Sequence, residues 1–444
     1  MQGNRFKSSL RNKELDRQIL RLTIPNIITN ITIPLLGMVD TAIVGHIEYS
    51  GATTDYIGAV AIGSMIFNFL YWGFGFLRMG TSGFTAQAYG AKDRNEQVDI
   101  LTRALIIGLS VAFVILCIQK PIALLAKLLI EDKNSVMSLA LDYFFVRVWA
   151  APAVLGMYAI KGWFIGMQDS KTPMWTAILI NVVNIVFDIV FVFGFGMTVK
   201  GVALATVISQ YSGLLLISTI FVVKHKKNYV VSIRRALQVD KMKLFFKVNS
   251  DIFLRTVCII VVTTYFTIAS SSYAYPTLAV NTLIMQLFSL FSYFMDGFAY
   301  ACESLCGKYY GARDKDNLRK VVNRVILWGV GLAVVCAMLY GCLGKEILSI
   351  LTSHTDVVEA SEKYRIWMVL IPICGFLAFL YDGILVGMTQ SKIMRNAIIV
   401  ATILFFFAYF AFGKTVNALW LGFILYLLGR SIMMPLLARK QIYK

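Results

Sequence analysis

The chain has 444 residues, 58% of them hydrophobic and 15% charged, with a formal net charge of +18. A soluble domain sits nearer half apolar and a quarter charged, so the composition excludes an ordinary soluble protein and points to a polytopic membrane protein. The positive excess is not a nucleic-acid footprint: Lys and Arg cluster between apolar runs, mostly in alternate loops, as the positive-inside rule requires.

Residues 1–21 read as a basic cytoplasmic lead with Arg5, Lys7, Arg11, Lys13, Arg17 and Arg21. The apolar run that follows is too long for a signal core and lacks a small-residue cleavage site, so no cleavable signal is expected. A first span is predicted over Leu22–Gly45, with Pro25, Pro34 and Asp40 inside it. Prolines there remove backbone hydrogen bonds and permit bending. The second span, Ile57–Tyr89, ends in GFGFLRMGTSGFTAQAYG, whose small residues allow close helix contact and which carries Arg78. A third follows over Val98–Ile118, then an outer loop with Lys120, Lys127, Glu131, Asp132 and Lys133. The fourth, Ser135–Ile165, carries Tyr143, Arg147, Pro152 and Lys161.

The fifth span, Trp175–Phe193, reads WTAILINVVNIVFDIVFVF. Asn184 and Asp188 are four apart and Asn181 is seven from Asp188, so all three share one helical face. Amides commonly join membrane helices, and the asparagines alone read as such a seam. A bare carboxylate in hydrocarbon costs several kcal/mol and reads as functional. Together the three make a polar face suited to a cation or a proton. A sixth span, Gly201–Val223, brings Thr206 and Gln210.

Lys224–Lys247 is the longest polar stretch, with Lys226, Lys227, Arg234, Arg235, Lys241 and Lys243. It reads as a solvated cytoplasmic linker, with an amphipathic helix on anionic lipid as the alternative. The seventh span begins near Val248 and carries Asn249, Asp251 and Arg255; the last two are four apart and are expected to pair within the helix. The eighth, Thr277–Tyr310, holds Asp296 and Glu303, and four more fall near Val321–Leu343, Val357–Val386, Ile393–Phe412 and Val416–Leu437. Loops 46–56 and 270–276 hold no Lys or Arg, so they face outside and both termini lie in the cytoplasm. The seven cysteines lie mostly in apolar runs, and neither they nor the three histidines form a zinc or catalytic pattern. No enzyme activity is expected.

Sliding the chain on itself by 221 residues brings Tyr89-Gly90-Ala91 onto Tyr310-Gly311-Ala312, Asp93 onto Asp314 and Arg103 onto Arg324. It also brings Gly108 onto Gly329, Gly166-Met167 onto Gly387-Met388 and Ser170-Lys171 onto Ser391-Lys392. The expected organisation is therefore two parallel six-helix lobes, 1–223 and 248–444, joined by the linker 224–247. Asp188 falls on Tyr409, Asn181 on Thr402 and Asn184 on Phe405, and Asp40 falls near Val261–Thr263. Only the first lobe keeps acids at these positions, so an ion is expected there.

The stretches LLGMVDTAIVGH (35–46), GFLRMGTSGFTAQAYGA (75–91), SDIFLRT (250–256) and DGFAYACESLCGKYYGARD (296–314) resemble the multidrug and toxic compound extrusion (MATE) transporters, in their DinF-like branch. The resemblance covers essentially the whole chain and implies an all-α polytopic membrane protein of twelve helices in two pseudo-symmetric six-helix lobes. It implies that Asp40, Asn184, Asp188 and Thr206 hold a proton or a monovalent cation such as Na⁺, and that Pro25 is a kink that bends with protonation. Asn181 joins this set from periodicity.

The function so implied is a secondary antiporter that exports amphipathic, often cationic organic compounds in exchange for H⁺ or Na⁺, working by alternating access as a monomer in a bacterial inner membrane. No cofactor beyond the coupling ion is expected, and the partners are small organic substrates and the bilayer, without nucleic acid. The alternative is a flippase for lipids or lipid-linked oligosaccharides of the related polysaccharide-exporter type, with Arg78, Arg147 or Arg255 as phosphate-binding candidates.

Overall fold

In the computed structural model, residues 13–45, 53–129, 136–225 and 230–443 are described. The basic residues Arg5, Lys7 and Arg11, the outer-loop residues Glu131, Asp132 and Lys133, and Lys226 and Lys227 lie outside them. The described residues are almost entirely helical, and twelve helices are long and apolar enough to cross a membrane. They are α1 Lys13–Gly45, α2 Asp55–Gly90, α3 Arg94–Cys117, α4 Val136–Gly166, α5 Lys171–Gly194 and α6 Val199–His225 in the first half. The second half contributes α7 Val239–Ser271, α8 Thr277–Gly311, α9 Lys315–Cys342, α10 Thr355–Gly387, α11 Ser391–Ala411 and α12 Val416–Tyr443.

The expected spans are all present, and their ends differ where charge is tolerated outside hydrocarbon. α1 starts at Lys13, nine residues before the apolar run, with Glu14 and Asp16 in its first turn, where the helix dipole favours acids. α2 is interrupted by a turn after Trp72 and resumes at Gly75. The stretch after α3 contains a short helix, Gln119–Leu129, and its counterpart in the second half is Gly344–Leu351.

The repeat is visible in the backbone. Lys92 and Arg313, 221 residues apart, both take a left-handed φ of 57°, and Gln168 and Thr389 share that conformation at 65° and 52°. Asp93 caps α3 by accepting from the Glu96 N–H at 3.0 Å, and Asp314 caps α9 by accepting from the Asn317 N–H at 3.1 Å. Gly166 and Gly387 sit at equivalent close approaches. A Cβ on Gly166 would meet Ser82 O at 2.7 Å, and one on Gly387 would meet Glu303 O at 2.5 Å.

Contacts divide the chain into two compact units. One comprises Ile28–Leu244; the other comprises the chain up to Ile27 together with everything from Phe245 on. This division differs from the sequence repeat at both ends. The start of α1 counts with the second half, and most of the linker counts with the first.

The linker is not simply solvated. Ser232 caps a short helix, Ile233–Ala236, that docks on α3 within the first unit. There Arg103, 2% exposed, donates from Nε to the Ala236 carbonyl at 2.8 Å. Asp99 pairs with Arg235, and Glu96 pairs with Lys241. In the second unit the equivalent arginine, Arg324, pairs with Asp16 near the start of α1, and Trp328 Nε1 donates to the same carboxylate at 2.9 Å. Each third-helix arginine thus holds the segment leading into the other half's first helix.

Each unit has its own apolar core. In the first, Phe67 stacks on Phe144 with centroids 5.2 Å apart, and buried Trp163 donates to the Gln97 carbonyl at 2.9 Å. In the second, Phe266 packs on Trp420 at 4.7 Å, and the indole N–H of Trp420 donates to Asn281 at 2.9 Å. The two indoles bury their rings while satisfying their donors.

Candidate functional site

Asp40 on α1 and Asp188 on α5 come together inside the first unit. Both side chains are buried, and their carboxyls lie within hydrogen-bond reach of each other. Two carboxyls can bond only through a shared proton, and among the described residues Asp40 Oδ1 and both Asp188 oxygens have no hydrogen-bond donor. One turn earlier on α5, Asn184 is fully buried with neither amide atom partnered. Thr206 is buried on α6, and its hydroxyl donates to the Val202 carbonyl at 3.0 Å.

Asn181 has a different contact. Its amide donates to the Thr32 carbonyl of α1 at 3.1 Å, the helix-joining bond that amides make in membranes. Pro25 is buried in α1, which runs unbroken through it. Lacking an N–H, it leaves the Arg21 carbonyl without its usual helical donor. The division between the two units falls two residues later, at Ile27/Ile28.

Arg147 belongs to this site as well. It lies near both carboxylates without forming an ion pair with either. Its guanidinium donates to Ser64 Oγ at 3.1 Å and to the Tyr143 hydroxyl, under the Phe67 ring at 5.0 Å from the centroid. Two carboxylates against one guanidinium leave a single net negative charge, which one proton or monovalent cation neutralises. The sequence signal for Arg147 was a lone arginine in an apolar helix four residues from Tyr143; its nearness to α1 and α5 is tertiary.

The second unit corrects one expected pair. Asp251 does not pair with Arg255 within α7. Its oxygens accept from Arg395 at 2.7 Å and Ser391 at 2.8 Å on α11. Arg255 reaches Asp382 on α10 instead, and Arg430 on α12 donates to the same Asp382 oxygen at 2.6 Å. Cross-helix partners with better geometry outcompete the flexible i,i+4 contact, which is worth only about 0.2–0.5 kcal/mol. Asp251 and Asp382 are therefore both committed to arginines.

The sequence profile of the MatE family matches residues 25–190 and 252–410, which include Pro25, Asp40, Asn184 and Asp188. The chain belongs to the MatE family. Within it, this MatE protein is 33% identical over 428 residues to DNA damage-inducible protein F of Escherichia coli K12, covering 96% of this chain and 92% of that one. It is 21% identical over 357 residues to the probable multidrug resistance protein NorM of Thermotoga maritima, covering 79% and 75%. Among solved structures, a MATE crystal structure in a bent conformation superposes with a TM-score of 0.85 at 19% identity, over 96% of this chain and 95% of that one. The resemblance to the DinF-like branch of the MATE transporters thus holds, and with it the twelve-helix fold.

Proposed function

We propose that this MatE protein is a secondary antiporter that exports amphipathic, often cationic organic compounds, driven by inward movement of H⁺ or Na⁺ through alternating access. The observation that carries the reading is the Asp40–Asp188 pair: two buried carboxyls facing each other with three of their oxygens unpartnered. Like charges so placed repel in a low-dielectric setting, and a proton or cation between them removes the repulsion. Na⁺ would draw on further oxygens from Asn184 and Thr206, as hard cations prefer.

Occupation neutralises the pocket, and release to the other side restores its charge. A coupling ion drives transport only if it binds the two conformations unequally. A bend of α1 near Pro25 would supply that inequality, because α1 carries Asp40 and passes from one contact unit to the other close to this proline. The multidrug names of the relatives support organic compounds as cargo. The flippase reading needed a basic cavity, and Arg147, one of its candidates, faces the Asp40 and Asp188 carboxyls instead.

The test is dye movement in proteoliposomes. A fluorescent cationic dye should move against an imposed pH gradient or an imposed Na⁺ gradient, and the effective gradient names the ion. No movement under either gradient overturns the antiporter reading.

A further inference from the structure

The buried triad of the second unit carries the opposite charge balance to the first unit's site. Arg255 and Arg430 face a single carboxylate, Asp382, leaving one net positive charge inside the membrane-spanning region. The side chains of Arg430 and Asp382 are 3% and 5% exposed, so water screens them little. Both arginines donate to the same Asp382 oxygen. Asp382 Oδ1 and the Nε–H groups of both arginines have no partner.

Neither guanidinium has a second carboxylate in ion-pair contact among the described residues. The compensation present is weaker: Arg430 lies 5.3 Å from the Tyr426 ring centroid and 6.0 Å from that of Phe379, and the Tyr426 hydroxyl accepts from it at 3.4 Å. Cation–π contacts offset part of a buried charge but do not neutralise it. An uncompensated charge in such surroundings is costly. The arrangement is also specific to this half. Subtracting 221 places Lys161 at the position of Asp382, Pro34 at that of Arg255 and Ser209 at that of Arg430.

We infer that Arg255 and Arg430 form a binding site for one small monovalent anion, either a halide or the carboxylate of an apolar compound. Two guanidiniums with free Nε–H donors suit such a group, since charge-assisted donors favour a compact or planar anion. Asp382 holds the two arginines together and limits the site to one negative charge.

The test uses the purified full-length protein, with thermal unfolding followed at constant ionic strength. Potassium gluconate, a bulky and strongly hydrated salt, is replaced stepwise by chloride, bromide, or benzoate. The midpoint should rise and level off, as ligand linkage requires. Saturation by halides alone identifies a halide; saturation by benzoate at lower concentration identifies the carboxylate of an apolar compound.

Asp382→Asn raises the net charge of the site from one to two. It should lower the half-saturating anion concentration on the order of tenfold, the scale set by one added charge in a protein interior. Arg430→Met should erase the dependence. A purely structural staple makes the opposite prediction, that Asp382→Asn lowers the midpoint equally in every salt. That result, or a wild-type midpoint indifferent to chloride, bromide and benzoate, overturns the inference, and neither depends on Arg430→Met folding.

Discussion

Replacing Arg103 by Ala should release the linker from α3. The arginine is nearly inaccessible, and its Nε donates to the Ala236 carbonyl at 2.8 Å, closing the short helix Ile233–Ala236 against the first unit. A hydrogen bond from a charged group contributes about 1.5–3 kcal/mol. Glu96 keeps Lys241, and Asp99 keeps Arg235, so the loss is that bond and the longer Arg103–Glu96 contact at 3.7 Å, not the whole network. Taking about 2.5 kcal/mol, the population of the undocked linker rises roughly 70-fold. Amide hydrogen exchange reads this directly. The Ala236 and Leu237 N–H groups, bonded to Ser232 and Ile233, should exchange faster by that factor in Arg103→Ala. Arg324→Ala, which severs the Asp16 contact, should leave the linker protected. Unchanged exchange at 236–237 in Arg103→Ala would refute the docking argument.

Gly166→Ala should lower the melting temperature, because its Cβ would meet Thr85 Cβ at 2.6 Å and Ser82 O at 2.7 Å; overpacking of this kind costs about 1–3 kcal/mol, and an unchanged midpoint would contradict the close α2–α4 approach. Arg395→Ala should destabilise by about 1–3 kcal/mol, discounted for the 31% exposure of its side chain, by leaving Asp251 buried with Ser391 alone. The ion requirement of transport should not change in that variant; a switch of coupling ion would show that Asp251 is not structural. Acid should weaken the turn between α4 and α5. Burial pushes the Asp169 carboxyl up, but the Thr172 hydroxyl and N–H and the Lys224 ammonium together hold it below the usual carboxylate range. Its stabilisation is therefore present above the unfolded-state value and lost as pH falls through the lowered one. Asp169→Asn should flatten the acid limb of a melting-temperature profile taken below about pH 4.

The twelve spans could be read from the sequence because hydrocarbon demands long apolar runs, whatever packs against them. Helix ends were less legible. Charged residues continue a helix once it leaves the hydrocarbon, as Glu14 and Asp16 do in α1. The Asn184–Asp188 face was visible because i,i+4 spacing is a property of one helix. Asp40 stood out as an acid inside an apolar span, but its pairing with α5 needed the family resemblance, and Arg147 needed coordinates, since nothing in local spacing says which residues of α1, α4 and α5 meet. Asp251–Arg255 shows the converse hazard: the spacing permits a pair, yet the partners lie on other helices. Asp382 drew no notice because a lone aspartate near the end of a span resembles an interfacial residue until Arg255 and Arg430 are placed beside it.

The central claim is that the Asp40–Asp188 pair couples ion movement to export. The most direct test is gradient-driven dye movement by wild type, Asp40→Asn, Asp188→Asn and the double variant in proteoliposomes, alongside dye binding without a gradient. Each single variant should abolish gradient-driven movement while still binding dye, and the double variant should be no worse than either, because the two carboxyls act as one site. Full gradient-driven movement in Asp188→Asn would contradict the account.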